Sequence, residues 1–115
     1  MTTFIDTKKC PRTKLPGGHG EMAEILNRDL CGAKNVLGML RWLKDGEKFA
    51  AEPLKDTHQL IYLMDGRGII NLGKKDYEVG KGAGVYLGPA ETASVRAVAG
   101  ASMKLLHLVV PRVPA

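Results

Sequence analysis

The sequence predicts one all-β domain, a sandwich or barrel of short strands, and three observations point there. From Asn35 onward, apolar runs of about five residues are divided by turn residues roughly every 8 to 12 positions. Two Asp-Gly pairs, Asp45-Gly46 and Asp65-Gly66, offer the positive φ that tight turns demand. Pro53 and Pro89 stand where runs begin or end, which suits a residue that cannot donate to a β ladder. A chain of 115 residues buries roughly two-thirds of the surface its unfolded form exposes, so it needs neither disulfide nor metal merely to fold.

Taken in order, residues 1–20 are polar and end in the turn-rich run Lys14 to Gly20, which predicts an N-terminal arm lying on a domain of residues 21–115. Glu21 to Cys31 places Met22, Ile25, Leu26 and Leu30 at helical spacing, but it is short and flanked by glycines. The all-β pattern that follows assigns it to strand. The predicted strands then cover Val36 to Leu43, Leu60 to Met64, Gly68 to Leu72, Val85 to Leu87, Ala93 to Val98 and Met103 to Val110, all but the last closed by Gly, Asp-Gly or Gly-Pro.

Composition narrows the function classes. Apolar residues make up 44% and charged residues 25%, as in an ordinary soluble protein, and no apolar run approaches the roughly 18 residues of a membrane helix. The first residues lack the apolar stretch of a secretory signal, so a cytoplasmic location is expected. Cys10 and Cys31 form no CxxC, which points to two free thiols rather than a zinc knuckle or redox pair. The net charge of +5 is spread singly and in pairs among acids with few aromatics, so neither a nucleic acid nor a membrane is expected as partner. An anionic small molecule exploits the same charge.

The stretch from Gln59 to Ala93 resembles the cupin superfamily, small jelly-roll barrels with two motif blocks. The first block ends with a glutamate, six residues and a glycine, matched here by Gln59 and Gly66 around Ile61-Tyr62-Leu63-Met64. Asp45-Gly46 resembles its opening Pro-Gly. The second block is matched by Gly82 and by Gly88-Pro89-Ala90. The resemblance, over roughly residues 36–111, implies a single jelly-roll barrel with an N-terminal arm. It also implies where a divalent ion such as Fe, Zn or Mn would sit. The paired histidines of the first block fall on Glu52 and Leu54, or in the alternative spacing on Pro53 and Lys55, and the histidine of the second falls on Ala93. Three neutral imidazoles and a carboxylate hold such an ion in the family; Leu and Ala cannot, so no metal or other cofactor is expected.

The resemblance makes Gln59 the leading site residue, with Glu52 as a candidate acid or base whose proton affinity burial would raise. His107, in mid-strand, is expected to point inward and His58 outward. His19 lies in a glycine-rich turn and is expected to be solvated unless the arm folds over the barrel mouth. Arg41 and Trp42 are neighbours in one strand, so one of them faces the cavity, as carboxylate or phosphate anchor or as aromatic wall. Tyr62 and Tyr86 are candidate phenols in the motif strands, and Leu54 and Ala93 mark the vacated ligand positions. The expected function is a small-molecule-binding cupin, a metal-independent isomerase, cyclase or lyase. The alternatives are a non-catalytic binding or accessory cupin and a metal-dependent dioxygenase or hydrolase with another ligand set. Family habit also suggests a homodimer.

Overall fold

The computed structural model describes residues 5–26 and 36–111. Its described residues form one 3-10 turn, Thr7–Lys9, and nine strands: β1 Thr13–Lys14, β2 Glu21–Leu26, β3 Leu37–Lys44, β4 Lys48–Ala50, β5 Thr57–Leu72, β6 Lys75–Gly80, β7 Gly84–Leu87, β8 Ser94–Ala97 and β9 Ser102–Pro111. The sheet runs β1-β2-β3-β9-β5-β8-β4, with β6 and β7 also on β5, and every pairing is antiparallel. The all-β jelly roll read from the sequence is the fold of the chain. No helix among the described residues is long and apolar enough to cross a membrane.

Two layers arise because β5 turns a corner. Its first half, Thr57 to Gly66, pairs with β9 and in part with β7; its second half, Arg67 to Leu72, pairs with β6 and β8. The corner is the second Asp-Gly pair, read from sequence as a hairpin turn between two strands. It is instead a bulge inside one strand, where the register with β9 shifts between Leu63 and Asp65. Gly66 sits at φ +91 with the Ser102 carbonyl so near that a Cβ would lie 1.8 Å from its oxygen, so only a residue without a side chain lets the two strands touch at the bend. The first pair, Asp45-Gly46, is a turn as expected: both φ values are positive and the Glu47 amide donates to the Lys44 carbonyl at 3.0 Å. It carries the chain from β3 in one layer to β4 in the other.

Alternation of side chains fills the space between the layers. Leu43, Ile61, Leu63, Met103 and Leu105 from one layer meet Phe49, Ile70, Val95 and Ala97 from the other in a single buried cluster. The strand assignment for Glu21 onward holds over Glu21–Leu26, while its continuation to Cys31 lies outside the described residues. Besides β1, a two-residue strand that ties the expected arm to β2, two strands were not expected. β4 is only three residues long, and β6 shows no inward apolar stripe, its residues being exposed except Val79. Sequence periodicity has nothing to register in either.

Candidate functional site

Register brings three polar groups and a methionine to one inner patch. Met39 pairs with His107 and Arg41 with Leu105 across β3 and β9, and Ile61 pairs with His107 and Gln59 with Val109 across β5 and β9. Met39, Arg41, Gln59 and His107 therefore share the inward face as direct or diagonal neighbours. Gln59 and His107 are both 3% exposed, and Arg41 is half-buried.

These side chains form a directed relay. Arg41 Nε donates to His107 Nδ1 at 3.2 Å. A guanidinium N–H only donates, so Nδ1 must carry the lone pair and Nε2 the proton. Nε2–H then donates to Gln59 Oε1 at 2.8 Å, which leaves the Gln59 amide nitrogen to donate to the Glu52 carbonyl at 2.8 Å. Every link agrees with the next on which atom gives and which accepts, so tautomer and amide orientation are fixed by the Arg41 charge. Burial, and then the Arg41 charge, lower the His107 pKa to about 4; the ring is neutral at physiological pH. Burial also pushes the Arg41 guanidinium down from its ordinary value, but an arginine stays charged in proteins.

Arg41 leads from this relay to the outside. Its guanidinium lies 4.4 Å over the Phe49 ring of β4, and together with Leu15, Pro16, His19 and Ala50 it lines an open recess of about 310 Å³ at the barrel mouth. His19 enters from the N-terminal turn. Its Nδ1 lies 2.8 Å from the Lys48 carbonyl, so Nδ1 holds the proton and in the neutral ring Nε2 is the free base. The turn is pinned beside β3 and β4: the Lys48 amide donates to the Gly18 carbonyl, and Gly20 presses on the Trp42 carbonyl, where a Cβ would come within 2.2 Å. The arm thus makes one wall of the recess, the arrangement the sequence left as the one way for His19 to take part.

The other expected residues lie elsewhere. Glu52 is exposed; it joins the relay through its backbone carbonyl, and its carboxylate is not the buried acid foreseen. Tyr62, expected among the cavity groups, sits on the outer face of β5 and is 39% exposed, because its position alternates with Ile61 and Leu63. Trp42 also faces outward, under the Arg12 guanidinium at 3.8 Å, and Arg12 is itself ion-paired to Glu21 at 3.2 Å. His58 is on the outer face, as expected, where it meets Tyr86: Nδ1 and the phenol oxygen are 2.5 Å apart with the rings stacked. Tyr86 is 62% exposed. Ala93 is buried in the apolar cluster and Leu54 is a half-buried loop residue whose carbonyl accepts from Ala90. Phe49, which seats Arg41, was missed; a lone aromatic in a three-residue strand gives no sequence signal.

A divalent ion does not fit these groups. The His107 lone pair is committed to Arg41 and its other nitrogen carries a proton, the Gln59 oxygen is taken by His107, and a guanidinium stands where a second cation would be repelled. Among the described residues no three His, Cys, Asp or Glu gather into a potential metal site.

No protein-family model and no curated protein matches the chain. Solved structures do. A predicted oxalate decarboxylase from Thermotoga maritima superposes with a TM-score of 0.81 at 16% identity, over 95% of this chain and 99% of that one. The polyketide cyclase RemF from Streptomyces resistomycificus gives 0.81 at 12% identity, over 100% of this chain and 83% of that one. KdgF from a Halomonas species gives 0.79 at 10% identity, over 98% and 96%. A cupin protein from Bacteroides fragilis also matches, with a TM-score of 0.66 at 16% identity over 87% of this chain and 84% of that one. The fold they share with this chain is the cupin fold.

Proposed function

We propose that this cupin-fold protein binds a small organic molecule in the recess at its barrel mouth and moves a proton on it without a metal, as an isomerase, cyclase or lyase does. The observation that carries this reading is the pairing, in one recess, of the His19 ring and a guanidinium anchored from behind by the His107–Gln59 relay. His19 Nε2 takes a proton from a carbon next to a carbonyl and returns it at another position. Arg41 stabilises the negative charge that gathers on the carbonyl oxygen. His107 and Gln59 touch no substrate; they are positioning residues that fix the direction of Arg41. Proteins named as a decarboxylase and a cyclase on the same fold support a small-molecule reaction.

Hydrogen exchange from D2O, followed by NMR on enolisable ketones, sugars and oxo compounds, tests this reading. The protein is expected to catalyse deuterium entry beside the carbonyl, and His19→Gln to slow it about 10²- to 10⁴-fold, the usual share of general base catalysis. Equal exchange with and without the protein, or full activity in His19→Gln, overturns it. The second reading is a non-catalytic binding or accessory cupin. Its support is the interior itself, packed with Ile61, Leu63, Val95 and Leu105, and saturable binding without exchange is its expected result.

We also propose a homodimer. The outer face of β9, β5 and β7 carries Leu60, Tyr62, Tyr86 and Val110, all more than a third exposed, beside half-buried Leu106 and Leu108. At about 4.8 Å between strands and about 3.4 Å per residue, three strands over the five residues from Leu106 to Val110 cover roughly 250 Å² in projection, the apolar centre for an interface whose standard size is about 800 Å² per partner. A flat antiparallel face of this kind complements itself about a two-fold axis.

A further inference from the structure

Among the described residues Arg41 has no counter-ion. The ion pair of Arg12 lies on the outer face, with Glu21, and among the described residues Arg41 meets neutral partners: the His107 ring, the Phe49 face and, weakly, the Met39 sulfur at 3.9 Å from Nη2. A half-buried charge loses hydration and requires an opposite charge to recover it. The described residues provide none, and the guanidinium opens on a recess. Of its five N–H groups, Nε–H is spent on His107, so the free donors are those of the terminal nitrogens, the end of the fork that receives two oxygens of one planar anion.

The rest of the recess decides which anion. Leu15, Pro16, Phe49 and Ala50 are apolar, and the remaining polar group, His19, presents a lone pair rather than a donor. A phosphate dianion would meet one cation and no further donor. A single carboxylate matches one guanidinium, and a short hydrocarbon or oxo chain matches the apolar wall. The space of about 310 Å³ stands at the small end of ligand sites. Resting on the reading of this recess given above, we infer that its ligand is a small organic acid with one carboxylate, and that Arg41, rather than a divalent ion, is the cation that receives it.

Butyrate, butyramide and inorganic phosphate, titrated separately against the whole protein and followed at the Arg41 Nε–H and His19 ring signals by NMR, test the inference. Butyrate is expected to shift both signals saturably. Butyramide, of nearly the same shape, is expected to bind at least about tenfold more weakly, since a charge-assisted hydrogen bond is worth about 1.5–3 kcal/mol. Arg41→Gln is expected to lose a similar factor, and the amide comparison keeps the test intact should that variant not fold. Equal binding of acid and amide overturns the inference, as does tighter binding of phosphate than butyrate. Stoichiometric Mn²⁺ that broadens the His107 and Arg41 signals overturns it too. Butyrate binding without hydrogen exchange sinks the proton-transfer reading and leaves this one standing; exchange confined to neutral ketones, with no binding of butyrate, does the reverse.

Discussion

His107 is held between a donor it cannot refuse and an acceptor it must satisfy. Protonating Nδ1 would place two cations 3.2 Å apart, which together with burial is why its pKa falls to about 4. In the unfolded chain the same ring titrates near 6.5. Between those values the unfolded state binds the extra proton, so the His107 contribution is whole above about pH 6.5 and drains away as pH falls toward 4, by up to about 3 kcal/mol. Urea midpoints measured from pH 7.5 to 4.5 should decline in the wild type, and the decline should be shallower in His107→Gln; parallel curves would contradict it. Some of this patch was legible in sequence: Gln59 from its place in the motif, His107 from its mid-strand setting. Strand alternation said that either Arg41 or Trp42 faces inward, but the choice rests on register with β9, which sequence leaves open. Tyr62 and Glu52 were misplaced because a motif position gives no side-chain direction.

β5 is the element on which the fold turns. Sequence showed its two apolar halves and the Asp-Gly between them, and an Asp-Gly pair flanked by apolar runs reads as a hairpin. What reversed that reading is a contact distant in sequence, the Ser102 carbonyl against Gly66. Gly66→Ala should therefore cost more than about 3 kcal/mol, through both the positive φ and the clash. Gly80→Ala, where an added Cβ meets nothing within 4 Å, should change stability by less than about 1 kcal/mol. Denaturant titrations of the two variants check the contrast, and similar losses would contradict the account of the bend. The short β4 and the polar β6 escaped sequence reading because each is defined by its partner: β4 by β8, β6 by β5.

At the scale of the whole molecule, the jelly roll was legible because turn spacing and two motif blocks agree on it, and ten to sixteen per cent identity to the superposed structures was enough to keep the backbone. The assembly was suggested only by family habit, and the exposed row on β5, β7 and β9 gives it a physical basis. Light scattering behind size exclusion should give twice the chain mass for the wild type. Leu60→Arg with Val110→Arg should give a folded species of single mass. A wild type of single mass at every concentration would leave that row without its proposed partner.

Lys48 and Phe49 are consecutive residues of the shortest strand on the inner site, at the end of the sheet order. The carbonyl of one sets the protonation pattern of His19, and the ring of the other seats Arg41. Base and anchor, which come from distant parts of the chain, thus take their alignment from one short segment held by β8 on one side and by the Gly18 carbonyl on the other. A slip of β4 by a single residue would turn the Phe49 side chain to solvent and misalign both groups together, so chemistry at this mouth has a common point of failure in a three-residue segment of the barrel wall.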